Sequence, residues 1–444
     1  MSGPPLTTLL LVLQTFSIVL TKPSFANLLV VVCGWLLTQG PHAVTEALVM
    51  TGVAGKRHHE AFHRLFSRAR WNPDDMGRWL FHRLLPYVGN DAIQVAIDDT
   101  LAPKKGPHVF GIASHLDAVR STRKRKVFTF GHVWVVLAVL VRVPFSTRTW
   151  ALPVLFRLYR SKKETAEADA TYEKKTELAS ELLQVFARWV DGYRVDVALD
   201  MGYCNSTVLE NWPSNFHLCG AMRSDAKLTA LPGPRAQDAK GRPKLKGDAL
   251  PKPCEVAEDE SIPWEKGEAL LYGKKAQVQF KTFCAQWYSV CGVRLLRIVV
   301  VRCFHGQLPF RVFFSTDFTL TAVRILELYA GRWAIEVFFR EAKQQLGFAD
   351  SIARLELAVR RVAPLVGLLY TVLVVWFLES HGSVFVATPP ERPWYPHKSG
   401  LSFADILREA RAALTGADIL TLAGNSRNLK NPPPADPPPT FPGE

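Results

Sequence analysis

Cysteine is scarce and badly spaced for either of its structural uses. There are seven, an odd number, none in a C-x-x-C pair, and the closest two are Cys284 and Cys291. That pattern excludes a zinc ribbon and a disulfide framework, and it points to a reducing cytoplasm. Histidine supplies no metal set either: His59 and His63 stand four apart, but no cysteine nearby and no further histidine at a ligand spacing completes zinc ligation. Unbroken apolar runs of spanning length are also missing. The apolar stretch from Leu9 to Leu37 is interrupted by Gln14, Thr15, Ser17, Thr21, Lys22 and Pro23, and it lacks the basic start and cleavage site of a signal peptide. Val362–Leu378 is free of charge over only 17 residues, just short of the ~18 of a candidate span. Both read as buried helices of a large core, and no membrane span is expected. Acid is in deficit: 40 Asp and Glu face 54 Lys and Arg, a net charge of +14.

What is present is an ordinary globular composition, 48% apolar and 21% charged, over 444 residues, enough for about three domains. A surplus of cations that large favours a polyanionic partner, because each neutralised phosphate releases counterions. A membrane surface is the competing partner. Residues 1–91 carry helical periodicity. Ala43–Met50 and Ala61–Arg70, joined by Thr51–Gly55, form a helix-turn-helix pattern with Lys56, Arg57, His58, His59, His63 and Arg64 on or beside the second helix. Two packed helices with a solvated basic face would give the same pattern.

The period then shortens. Ala92–Ile97 is an apolar strand ending at Asp98 and Asp99; Val127–Phe130, Trp134–Val141 and Thr149–Tyr159 are further strand candidates; Thr171–Val190 is an amphipathic helix; and Val195–Leu199 is a buried strand ending at Asp200. Residues 228–253 form a basic, Pro- and Gly-rich loop, and Ala269–Ser315 alternates as β-hairpins. A helical period runs from Thr321 to Leu346, another amphipathic helix covers Ser402–Leu414, and Asn425–Glu444 is Pro-rich and expected to be disordered. Arg120–Lys126 holds five cations, which suit either a phosphate-tracking segment or a solvated turn.

Three acids stand out. Asp98 and Asp200 end buried strands, and Glu336 lies in a helix among Trp333, Ile335, Val337 and Phe338. Taken singly each suits a cap or an ion pair; converging, they would hold two Mg²⁺ ions for in-line displacement at phosphorus. The surroundings of Glu336 favour convergence. Tyr329, Arg332, Glu336 and Lys343 follow one another at spacings of three, four and seven, placing two cations and a phenol beside the acid on one helical face.

With these residues the chain resembles bacterial insertion-sequence transposases of the DDE class that carry the Tyr-Arg-Glu-Lys signature. Ile97-Asp98-Asp99-Thr100 resembles their first-acid motif and Leu199-Asp200-Met201-Gly202-Tyr203 the second, with Met201 standing where many relatives have Arg. Matching the threonine to Thr100 places the first ligand at Asp98, although strand alternation alone leaves Asp98 and Asp99 both open. The likeness covers about residues 93–380.

The resemblance implies an α/β fold: a ribonuclease-H-like catalytic domain (92–227 and 318–380) interrupted by a β-rich insertion (228–317). An all-α N-terminal domain (1–91) would precede it, and a helical segment (381–424) and a Pro-rich tail (425–444) would follow. It implies Asp98, Asp200 and Glu336 as the catalytic and metal-binding residues, with two Mg²⁺ per site and Mn²⁺ able to substitute. Tyr329, Arg332, Lys343, Lys104 and Lys105 are the expected DNA contacts, and Trp264 or Trp287 the expected stacking surface for a displaced base. The partners implied are terminal inverted repeats and target DNA, bound by a homodimer in the bacterial cytoplasm at the nucleoid. A non-catalytic DNA-binding derivative of such an element is the competing expectation, and the intact acid set argues against it.

Overall fold

The apolar, β-branched runs in the middle of the chain assemble into a single ten-stranded sheet. The computed structural model describes residues 5–89, 91–106, 108–234, 241–303, 309–381, 393–394 and 400–425; of the tail 425–444, expected to be disordered, all but Asn425 lies outside them, and Asn425 ends a helix. The strands are β1 (Ile93–Pro103), β2 (Ala113–Leu116), β3 (Phe128–Arg142), β4 (Thr149–Tyr159), β5 (Val195–Leu199), β6 (Phe216–Met222), β7 (Glu265–Leu271), β8 (Lys274–Gln286), β9 (Leu295–Arg302) and β10 (Phe310–Ser315). The order across the sheet is β4-β3-β1-β5-β6-β10-β9-β8-β7, with β2 pairing to the start of β3. β1, β5 and β6 run parallel, and every other pairing is antiparallel. Three antiparallel strands followed by two parallel ones, in a mixed α/β chain, are consistent with the ribonuclease-H-like expectation.

Two local expectations are corrected. The segments Val127–Phe130 and Trp134–Val141 belong to one strand, β3, whose residues 131–141 are buried throughout, as befits a strand covered on both faces. β1 does not stop at Asp98: it runs on to Pro103 because β3 continues to pair with it as far as Gly131. The strands of residues 228–317 continue the main sheet, since β10 is hydrogen-bonded to β6.

Helices cover both faces. α1 (Pro5–Gln14), α2 (Lys22–Leu37), α3 (Val44–Met50), α4 (Glu60–Ser67) and α5 (Pro73–Leu84) come first. α6 (Lys162–Glu167), α7 (Lys175–Ala187), α8 (Ser206–Leu209), α9 (Pro253–Glu258) and α10 (Tyr288–Cys291) lie between strands. α11 (Ala322–Gly331), α12 (Trp333–Gln345), α13 (Glu356–His381), α14 (Phe403–Leu414) and α15 (Ile419–Asn425) close the chain. The helices of residues 1–91 share one apolar core with the sheet and with α13 and α14. Polar side chains stitch the same join. Arg361 donates to the carbonyls of Phe66 and Trp71 at 2.9 and 2.7 Å, and Arg411 to those of Leu36 and Thr38 at 2.7 and 2.8 Å; those of Phe66, Leu36 and Thr38 are ones that a helix end leaves open.

α13 is long and apolar enough to cross a membrane by length and composition, and 94% of its apolar window is buried inside this fold. α11 has its own apolar bed, where Ile325, Leu326 and Leu328 pack with Val278, Phe280, Val299 and Phe313 of the sheet's far half.

Candidate active site

The helical run expected from Thr321 to Leu346 is two helices, and the break between α11 and α12 falls at Arg332. The glycine before it, Gly331, is a poor helix former. Tyr329 therefore lies on α11, whereas Glu336 and Lys343 lie on α12, so the four signature residues do not share one helical face.

The break aims Arg332 at the acids. Its guanidinium donates from Nη1 to Oδ2 of Asp98 at 2.5 Å and from Nη2 to Oε1 of Glu336 at 3.0 Å, and Nη2 stands 3.7 Å from Oδ1 of Asp200. Three carboxylates from β1, from the end of β5 and from α12 thus meet at one cation. The Arg332 side chain is 8% exposed and that of Asp98 16%, against 35% for Glu336 and 43% for Asp200. Asp98 and Glu336 would repel each other without that cation.

Burial, opposed by Arg332 and reinforced by the charges of Asp99 and Asp200, leaves the Asp98 carboxyl raised to about 7. Glu336 is also raised by burial and drawn down by Arg332. The Tyr329 ring lies under Arg332, 5.5 Å from guanidinium carbon to centroid. The Arg332 Nε is buried with no hydrogen-bond partner.

Strand alternation sends Asp99 the other way. It accepts from the Tyr203 hydroxyl at 2.8 Å and from the Lys175 ammonium at 2.7 Å. Asp98 faces the other two acids; Asp99 is tied into the fold by α7 and the turn after β5. Asp200 ends β5 and leads the 3₁₀ turn Met201–Tyr203.

Of the expected DNA contacts, Arg332 and Tyr329 are at the cluster. Lys343 is partly buried near the end of α12, its ammonium pulled below the usual lysine range by burial and partly restored by Asp117. Lys104 is taken up by the fold: its Nζ donates to the carbonyls of Ala349 and Ser351 at 2.8 and 2.7 Å. Lys105 is exposed.

Neither expected indole is an open platform. Trp264 is flanked by Lys281 and Arg302, 4.8 and 5.2 Å from its centroid, and Trp287 meets Phe314 edge-on at 5.7 Å. Lys281 is buried because three carbonyls, of Val256, Ala257 and Asp259, accept from it, which also fixes it over Trp264. Trp333, the residue after Arg332, is 50% exposed; the sequence reading left it among the apolar neighbours of Glu336.

Beside the cluster a cavity of about 650 Å³ is lined by Asp200, Tyr329 and Arg332, so the acids are reachable from solvent. Residues 16–283 match the family model for the DDE superfamily endonuclease. The chain belongs to that family. The matched span takes in Asp98 and Asp200 and ends before Glu336. A search of curated proteins finds no match. As a DDE endonuclease the chain is a nuclease- or transposase-type enzyme, and DNA is its substrate.

Enzymes of this family use divalent metal, so the donors must be tested against one. Among the described residues no group of three acidic, histidine or cysteine side chains is drawn together closely enough to hold a metal ion, because the acids converge on Arg332 instead. The chemistry of the donors nevertheless fits. All are carboxylate oxygens, which suit a hard cation such as Mg²⁺, and Asp98 is buried at a position where charge is costly.

Proposed function

We propose that this DDE endonuclease is a transposase of the bacterial insertion-sequence type that binds the terminal inverted repeats of its element, cleaves them and joins the ends to target DNA. The observation carrying this reading is the meeting of Asp98, Asp200 and Glu336, from three separate elements, at a single guanidinium. Asp98, Asp200 and Glu336 would hold Mg²⁺, which supplies activation of the attacking oxygen and stabilisation of the leaving one.

The chain's own residues do the rest. Arg332 offsets the acids' mutual repulsion and, with Tyr329 beside it, borders the cavity where a phosphodiester would lie. Lys105 and Lys343 track the backbone as point charges. The cluster stands at the carboxyl side of parallel strands, where α/β sheets gather reactive groups. Two ends must be processed together, so a homodimer on DNA follows, acting in the cytoplasm at the nucleoid.

The test is incubation of the purified chain with DNA carrying the ends of its element, in Mg²⁺, with 5′ and 3′ termini mapped. Asp98→Asn, Asp200→Asn and Glu336→Gln should each abolish cleavage while end binding persists. Near-wild-type cleavage by any one variant would remove that residue from the site. Failure of the wild type to nick, with binding intact, would favour a non-catalytic DNA-binding derivative.

A further inference from the structure

Asp200 stands where the sheet lets go of its strand. β5 pairs with β1 and β6 only as far as Leu199, which lies opposite Ile97 on one side and Gly220 on the other. Asp98 is still held beyond that point, because β1 goes on pairing with β3 and Val136 lies opposite it. Among the described residues no β-ladder pairing joins the two acids, yet a site for a metal needs its ligands held at a fixed separation.

The two are joined behind the site instead, on the face of β1 turned away from Arg332. The Tyr203 hydroxyl donates to Oδ1 of Asp99 at 2.8 Å, and the Lys175 ammonium, at the start of α7, to Oδ2 at 2.7 Å. The Asp99 amide in turn donates to Oδ1 of Asp98 at 2.8 Å. At the other end, the Tyr203 amide donates to the Asp200 carbonyl at 2.9 Å, closing the 3₁₀ turn, and the Cys204 thiol donates to the same carbonyl at 3.3 Å. One line of hydrogen bonds thus runs from the Asp200 backbone through Tyr203 and Asp99 to the Asp98 carboxylate.

The line is firmly seated. Tyr203 is 4% exposed and packs in the main apolar core, where a phenol needs a partner for its hydroxyl and is costly to leave without one. Lys175 offsets the charge of Asp99, and its ammonium lies 5.7 Å from the centroid of the Tyr159 ring. Arg332 engages Oδ2 of Asp98 whereas the Asp99 amide engages Oδ1, so the bonds in front and behind do not compete. Neither Asp99, Tyr203 nor Lys175 lines the cavity beside the acids, so they act on whatever lies there only through Asp98 and Asp200.

From this geometry we infer that Asp99, Tyr203 and Lys175 are positioning residues: they form a clasp on the reverse side of the site that sets the separation and direction of Asp98 and Asp200 as a pair of metal ligands. Hydrogen-bond partners that orient ligating side chains contribute about ten- to a hundredfold to metal affinity. The inference rests on the proposed function for the identity of the two ligands, whereas the clasp itself is formed without metal or DNA.

The experiment makes two measurements on the full chain. In chelator, amide hydrogen exchange over residues 200–204 should quicken about tenfold or more in Tyr203→Phe, which keeps the buried ring and loses one hydrogen bond to a charged group. Mn²⁺ is then titrated into each protein and the free ion counted by electron paramagnetic resonance, with Asp200→Asn marking the signal that belongs to the site. Tyr203→Phe and Asp99→Ala should each weaken that Mn²⁺ about ten- to a hundredfold. The double variant should be little worse than Asp99→Ala alone, since both changes cut the same bond, and Lys175→Gln, at the rim, should cost about threefold. A merely structural role would lower the melting temperature and leave Mn²⁺ affinity unmoved. Tyr203→Phe preserves the packing, so the test stands even if Asp99→Ala misfolds. Exchange unchanged in Tyr203→Phe, or Mn²⁺ affinity within about twofold of wild type in that variant, would overturn the inference. Quickened exchange in a protein whose wild type holds no Asp200-dependent Mn²⁺ counts against the proposed function and not against the clasp. Mn²⁺ bound alike by wild type and variants counts against the clasp alone.

Discussion

Arg332→Ala, in metal-free protein, should lower stability and make it depend more steeply on Mg²⁺ than that of the wild type. The dominant loss is the pair with Asp98, a 2.5 Å contact between side chains 8% and 16% exposed; removing one partner of a buried pair costs about 3–5 kcal/mol. Glu336 and Asp200 are both more than a third exposed, so each contributes no more than about 0.5–1 kcal/mol.

The sign of the pH dependence follows from Asp98. Its carboxyl is raised from an ordinary 3.8 to about 7 in the fold, so the cost of its buried charge is absent below about 3.8, accumulates as pH rises from there to about 7, and is constant above that. Without Arg332 that cost is larger, so the variant's deficit should be small at pH 5 and full at pH 8. At ~2.1 cal/mol/K of unfolding entropy per residue, a loss of about 3 kcal/mol over 444 residues corresponds to about 3 °C in Tm. Scanning fluorimetry with and without Mg²⁺ reads it: the ion binds only the folded acids and should restore most of the deficit. Arg340→Ala, on the exposed face of α12, is the control. A variant melting within about 1 °C of wild type at pH 8, or one that gains no more from Mg²⁺ than wild type does, would refute the bridging role of Arg332.

Other outcomes are expected. His132 is buried, and desolvation depresses its imidazole to about 4 despite its bond to the Phe110 carbonyl. As pH falls from 6.5 towards 4 the unfolded chain takes up a proton that the fold refuses, so stability drops; His132→Gln should flatten that slope in urea titrations by up to roughly 3 kcal/mol. Gly77 lets α5 rest on β4, since a Cβ there would lie 1.9 Å from the Val154 carbonyl oxygen; Gly77→Ala should cost about 1–3 kcal/mol in chemical denaturation. Gly40→Ala, with nothing within 4 Å, should cost far less. Lys105→Ala should reduce the salt slope of duplex binding by about 0.9. Lys104→Ala should leave the slope alone and lower stability, because its ammonium serves the Ala349 and Ser351 carbonyls; a slope change for Lys104→Ala would reverse that reading.

What the sequence determined by itself is whatever a residue's own element expresses. The strands Thr149–Tyr159 and Val195–Leu199 stand where their β-branched, apolar residues place them, because period and burial are local properties of a run. Three acids set in apolar surroundings were legible as candidates for the same reason, a charge being conspicuous where burial is expected. Tertiary structure decided the relations between elements. Asp98 and Arg332 are 234 residues apart, and no periodicity states that one will bond the other. The helix break at Arg332, which turns the cation onto the acids, depends on how α11 sits in the sheet's far half. Asp98 and Asp99 differ only in which side of β1 meets α12 and which meets Tyr203 and Lys175. Likewise Trp264 and Trp287 were as plausible in sequence as Trp333. Which indole stays open follows from Lys281, Arg302 and Phe314 covering the first two, and contacts of that kind exist only once the sheet has curled.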